Sequence, residues 1–153
     1  MKIDKIDEQI IAILQKDAKS NVKSIADQLN MTKTPIYERI KKLENEGIIE
    51  KYVAIVNRQK LKGGMFVFCS VSLEVQKLEH IERFKAEISE IPEVMECYLM
   101  GGANDFLLKL HVNDLNAYHQ FSSGKLAALD NVSQIKSTFV LDVVKKESAI
   151  EVF

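Results

Sequence analysis

Between Ile3 and Leu43 the apolar residues recur at spacings of three and four, the repeat of helices that each bury one stripe. Ile3, Ile6, Ile10, Ile13 and Leu14 predict an amphipathic helix from Asp4 to about Lys16, with Asp4 as its cap. After a polar run from Asp17 to Ser20, Val22, Ile25, Ala26 and Leu29 predict a second helix capped by Asn21. At barely two turns it cannot persist alone in water and needs neighbours. Asn30 tolerates the left-handed conformation of a tight turn, Met31 drops into the core, and Thr32 caps a third helix. That helix has the stripe Ile36, Ile40, Leu43. Pro35 falls in its first turn, where a missing N–H costs no intrahelical bond, and Gly47 supplies the left-handed stop. A short helix, a tight turn and a longer helix make a helix-turn-helix. Residues 48–56 then turn β-branched and aromatic, which predicts a strand or small hairpin, a wing.

The polar, basic stretch 57–64 ends in Gly63-Gly64, and beyond it the period changes. Residues 65–74 alternate as a strand. Leu78, Ile81, Phe84, Ile88 and Ile91 keep helical spacing up to Pro92. Residues 94–100 and 105–112 are strands joined across Gly101-Gly102-Ala103-Asn104. Leu115, Tyr118, Phe121, Leu126 and Leu129 mark a second helix, interrupted around Ser122-Ser123-Gly124, and 132–145 closes as a long strand. The order β-α-β-β-α-β is the ferredoxin-like pattern, an antiparallel sheet with both helices on one face. The expected fold is therefore α+β: a winged helix-turn-helix in residues 1–50, a strand and linker in 51–64, and a ferredoxin-like βαββαβ domain in 65–153. Its uncovered sheet face calls for a partner sheet, so at least a homodimer is expected.

Composition is ordinary for a globular chain of 153 residues, but the net charge of −1 conceals an asymmetry. Residues 1–62 carry a balance of +4 and residues 63–153 one of −5, so a polyanion would fall to the first part. The charged start Met1-Lys2-Ile3-Asp4-Lys5 does not read as a signal peptide, and no apolar run reaches the roughly 18 residues of a membrane span. A soluble cytoplasmic protein is expected. Cys69 and Cys97 fall inside predicted strands, without metal spacing, and read as small buried thiols. His80, His111 and His119 are scattered one per element. No Ser/His/Asp group, Walker loop or metal motif appears, so neither catalysis nor a cofactor has support.

With its stripe buried, the third helix turns Lys33, Thr34, Tyr37, Glu38, Lys41 and Lys42 outward, while Thr32 begins it. Hydroxyls and a carboxylate near the N-terminus suit base edges, and the lysines further along suit phosphates. Arg39 lies nearer the flank, within reach of Glu38, Glu46 or a phosphate. Glu38 accepts from a cytosine amino group or pairs with Lys42 at i+4, the latter being favoured. Double-stranded DNA is the partner this face fits. An ordinary solvated Lys/Glu helix is the bland alternative.

The run from Leu29 to Ile49 closely resembles the helix-turn-helix of the leucine-responsive/asparagine-responsive (Lrp/AsnC, feast/famine) transcription regulators, and Ile3-Asp4-Lys5-Ile6-Asp7 resembles the stretch that precedes it there. Gly102-Ala103-Asn104-Asp105-Phe106 resembles that family's effector signature of a glycine, two variable positions, an aspartate and an aromatic residue. The resemblance covers essentially the whole chain. It implies an αβ-sandwich dimerising through its sheets, dimers assembling into rings such as octamers, and an effector, typically an amino acid, held between dimers. The candidate effector residues are Met100, Gly101, Gly102, Asn104 and Asp105 at this turn, joined by Ser137 and Thr138 if the last strand passes nearby. The chemistry is reasonable: glycines admit a carboxylate to backbone N–H groups, Asp105 suits an ammonium, and the last strand offers hydroxyls. The opposing reading of Asp105 is a hairpin residue capping its own turn. Asn104 departs from the family, which commonly has an aromatic ring there; its amide favours a polar effector or none. Two alternatives stand beside the regulator: a sirohaem-decarboxylase-like enzyme, which would press His111 and His119 into service, and an amino-acid-binding regulatory module, which would not need residues 1–50.

Overall fold

The computed structural model describes residues 2–57, 60–61 and 63–151; Arg58, Gln59 and Lys62 of the expected linker lie outside the described residues. The chain divides into two compact units, one containing residues up to Val56 together with the stretch from Lys145, the other Asn57–Val144.

The first unit is built on α1 (Lys5–Lys16), α2 (Val22–Gln28) and α3 (Lys33–Asn45). Asp4 starts α1 with a reciprocal cap: its Oδ1 accepts from the backbone N–H groups of Ile6 (2.9 Å) and Asp7 (3.0 Å), and Asp7 Oδ2 accepts from the N–H of Asp4 (3.2 Å). Asn21 caps α2 through Ser24 N–H at 2.9 Å. Thr32 has the extended backbone of a cap at α3, but its side chain makes no capping bond. Asn30 takes φ 53° and Gly47 φ 70°, the left-handed positions the turns require. Ile10, Leu14, Ile25, Ala26, Ile36, Ile40 and Leu43 form the core, flanked by Met31, Ile48 and Ile49. This burial, at about 1.5–3 kcal/mol per large side chain, is what keeps the seven-residue α2 helical. The strand expected over 48–56 does not form: Ile48 and Ile49 cover the helical core, and 50–56 hold no regular structure. A strand exists only in a ladder, and among the described residues none pairs with this one.

The second unit runs β1 (Met65–Leu73), α4 (Leu78–Ser89), β2 (Val94–Leu99), β3 (Phe106–Val112), α5 (Leu115–Phe121) and β4 (Val132–Phe139), in one sheet ordered β2-β3-β1-β4 with every pair antiparallel. Val67, Cys69, Val71 and Leu73 of β1 and Phe106, Leu108, Leu110 and Val112 of β3 point to the side that packs Phe84 and Ile88 of α4 and Phe121 of α5. The other side carries Phe66 and Phe68 of β1 and Leu107, Lys109 and His111 of β3, with Lys109 Nζ 5.4 Å above the Phe66 ring. The interruption after α5 is a single π-helical turn, Ser122–Leu126, closed by Ala127 N–H to Ser122 O at 2.9 Å. Ser122 and Ser123 donate back to His119 O, competing with the helical ladder there. β4 ends at Phe139 and not at Lys145 because β1, its only neighbour among the described residues, begins at Met65: after Val140 N–H meets Phe66 O at 3.0 Å no ladder remains among them. The two cysteines also part company, Cys69 being buried and Cys97 exposed on the edge strand β2.

Three carboxylates titrate below their ordinary values: Asp4 through the Asp7 N–H and Arg39, Glu44 through Lys41 and Tyr52, and Glu93 through Lys125. Their folded values lie below the unfolded ones, so their contribution is present above the unfolded values and lost as pH falls through the folded ones. Urea unfolding at about pH 7 and about pH 3.5 should show lower stability at the acid value.

Candidate functional site

Burial of Ile36, Ile40 and Leu43 leaves the opposite side of α3 to solvent, with Thr32, Lys33, Thr34, Tyr37, Glu38, Lys41 and Lys42 all exposed. Lys41 does not stand alone: its Nζ is 2.6 Å from Glu44 Oε2 and 6.0 Å from the Tyr37 ring centre. Glu44 in turn accepts from the Tyr52 hydroxyl at 3.0 Å, and burial followed by this bond pushes the Tyr52 phenol up to about 12. The expected Glu38–Lys42 pair does not form. A carboxylate held by Tyr52 recruits Lys41 at i+3, and among the described residues Lys42 has no ion-pair partner. Lys33 and Lys42 are thus the uncompensated cations of this face, with Lys41 partly neutralised.

Arg39 is not on that face. Its Nη1 lies 2.8 Å from Asp4 Oδ2 and 2.7 Å from Asp7 Oδ1, at the start of α1. The expected choice among Glu38, Glu46 and a phosphate is therefore corrected: the flank of α3 that carries Arg39 meets α1, and two carboxylates reach it first.

In the second unit Met100, Gly101, Gly102, Asn104 and Asp105 lie together in the β2–β3 turn, closed by Met100 N–H to Asp105 O at 2.8 Å. Gly101 and Gly102 are exposed and neither is left-handed. A Cβ built on either would meet nothing within 4 Å, so the chain's own packing does not require glycine there. Asp105 Oδ2 accepts from Leu73 N–H at 2.7 Å, and its own N–H meets Val71 O at 3.0 Å, beside the register shift at Ser72/Leu73. The carboxylate therefore does not cap its own turn, as the opposing reading had it: one oxygen ties the turn to β1, because β1 lies beside β3 and ends level with it. Asn104 Oδ1 accepts from the Ser72 hydroxyl at 3.4 Å.

Ser137 and Thr138 are not brought to this turn. Ser137 sits opposite Cys69 on the helix-covered side, hydrogen-bonded to the Tyr118 hydroxyl, and Thr138 sits opposite Phe68 on the other. With β1 between β3 and β4, Thr138 is roughly 15 Å from Asp105 by strand spacing and rise. The β4 residues level with the turn are Ser133, which donates to Ser72 O at 3.0 Å, and Gln134, opposite Ser72. Ser72, Ser133 and Gln134 were invisible to sequence reasoning because only the register β1 takes with β4 places them. His80 and His111 are half-buried and His119 exposed, and among the described residues no three His, Cys, Asp or Glu side chains converge as metal ligands. No helix among the described residues is long and apolar enough to cross a membrane.

Comparison with known proteins meets this geometry in both units. The family description "Winged helix-turn-helix DNA-binding" matches residues 3–50, and "Lrp/AsnC ligand binding domain" matches residues 66–150. The chain is 36% identical over 148 residues to the Bkd operon transcriptional regulator of Pseudomonas aeruginosa, covering 97% of each chain. It is 30% identical to the leucine-responsive regulatory protein of Escherichia coli K12, covering 97% of this chain and 90% of that one. A transcriptional regulator in complex with L-Met from Neisseria meningitidis superposes with a TM-score of 0.89 at 28% identity, over 97% of this chain and 96% of that one.

Proposed function

Because the chain belongs to the Lrp/AsnC family of DNA-binding transcriptional regulators, we propose that it grips duplex DNA with the exposed face of α3 and that an amino acid seated at the β2–β3 turn adjusts this grip. The observation that carries the DNA assignment is the packing of three helices that buries one stripe of α3 and leaves Lys33, Thr34, Tyr37 and Lys42 outward. Backbone N–H groups and hydroxyls at the N-terminal end of that helix read base edges, and the lysines take phosphates. The effector assignment is supported by the open Gly101-Gly102 backbone, by the second oxygen of Asp105, and by the L-Met complex of the Neisseria meningitidis relative. The carboxylate meets backbone N–H groups of the turn and the ammonium meets Asp105. Since Ser137 and Thr138 lie elsewhere, the rest of the pocket wall comes from Ser72, Gln134 and a neighbouring copy. The sheet side bearing Phe66, Phe68 and Leu107 is the face through which two copies pair, and dimers build a higher oligomer such as an octamer. By linkage, an effector that prefers one assembly shifts DNA affinity with it.

The test is a gel-shift comparison on a duplex enriched by the chain from a random pool. Lys42→Ala should weaken binding to all sequences alike and flatten the slope of log affinity against log salt by about one. Lys41→Ala should do less, since Glu44 already offsets that charge. Thr34→Ala should relax base preference while leaving the slope alone. Wild-type behaviour of both Lys42→Ala and Thr34→Ala would remove α3 from the interface.

A further inference from the structure

We propose that Arg39 is the positioning residue of the recognition helix: its guanidinium bridges Asp4 and Asp7 and thereby sets the angle at which α3 leaves α1. The proposal rests on the DNA reading of α3. All four oxygens of the two carboxylates are engaged. Asp4 Oδ1 receives Ile6 and Asp7 N–H, Asp4 Oδ2 receives Arg39, Asp7 Oδ2 receives Asp4 N–H, and Asp7 Oδ1 receives Arg39. The cap that starts α1 and the clamp that holds the middle of α3 are therefore one network. Asp7 is the charged side chain buried among the described residues, at 3% exposure. A carboxylate so placed is tolerated only with a hydrogen-bonded cation, and Arg39 supplies it.

Charge argues against a phosphate contact at the same place. Two carboxylates around one guanidinium leave the cluster at −1, which repels a phosphate. The consequence for recognition is geometric. Hydrogen bonds to base edges need side chains held to within about 0.5 Å, whereas long lysines follow a displaced phosphate. Loosening the clamp should cost sequence-specific binding more than general binding.

The experiment uses the full chain, the enriched duplex and a mixed-sequence duplex of equal length, with affinities measured across a salt series. Arg39→Gln should lose about tenfold on the enriched duplex and under about threefold on the mixed one, with the salt slope unchanged. Asp7→Asn should lose preference in the same direction, although deleting a negative charge would by itself tighten DNA binding. Asp4→Asn keeps a capping side chain and removes only the outer half of the bridge, so it should give a smaller loss in a chain that still folds. Arg39→Lys, which reaches one carboxylate, should restore part of the preference. A slope lowered by about one with equal loss on both duplexes would make Arg39 a phosphate contact and overturn the proposal. Asp4→Asn and Asp7→Asn binding as well as wild type, or better, would overturn it too. A wild-type chain that enriches no duplex overturns the DNA reading itself, a result distinct from either.

Discussion

Phe106→Ala should destabilise the second unit by about 3–5 kcal/mol, a large part of the roughly 5–15 kcal/mol that holds a domain together. Phe106 is 0% exposed at the start of β3, and its ring centre lies 4.4 Å from that of Phe84 on α4, so one side chain joins the sheet to the helix layer. Truncation removes transfer free energy and leaves a cavity between β3 and α4, whose Leu108 and Ile88 belong to the same core. Phe106→Leu, which refills most of the volume, should cost much less. Urea unfolding followed by circular dichroism measures both, and equal midpoints for Phe106→Ala and wild type would show that the core is not centred on this ring.

The second large effect separates the structural role of Asp105 from the effector contact proposed for it. Asp105→Ala deletes the acceptor for Leu73 N–H and should cost about 1–3 kcal/mol of stability, because that donor loses its partner beside the register shift in β1. Asp105→Asn keeps an oxygen for Leu73 N–H and should hold most of that stability, yet it removes the charge. If the ammonium of an amino acid meets this carboxylate, both variants should lose about 1.5–3 kcal/mol of binding, more than tenfold in affinity. A thermal-shift screen of the protein amino acids at about millimolar concentration tests this, since a ligand of the native state raises the midpoint by mass action. Wild type stabilised by one amino acid, with Asp105→Asn no longer stabilised, places the charge in the site. Equal stabilisation of both, or none of wild type, leaves Asp105 as the residue that ties the turn to β1.

By itself the sequence determined whatever depends on neighbours a few positions apart. The stripe Ile36, Ile40, Leu43 placed α3 and chose its outward face, Asp4 and Asn21 announced two helix starts, and Asn30 and Gly47 marked the left-handed turns. The alternation along β1 and β3 announced the sheet, because period-two burial is written residue by residue. Tertiary structure alone decided what depends on pairs remote in sequence. Residues 50–56 have strand composition but found no ladder among the described residues, and β4 ran out of one where β1 begins. Ser137 and Thr138 were drawn from the turn by a register that no local pattern encodes, while Ser133 and Gln134 were drawn toward it. Asp105 reaches Leu73 across 32 positions and Arg39 reaches Asp4 across 35, so neither partner can be read from spacing. The charge and polarity of a side chain are local properties; which opposite charge or open N–H it meets is settled only when the elements pack, by whichever partner burial brings within hydrogen-bond distance.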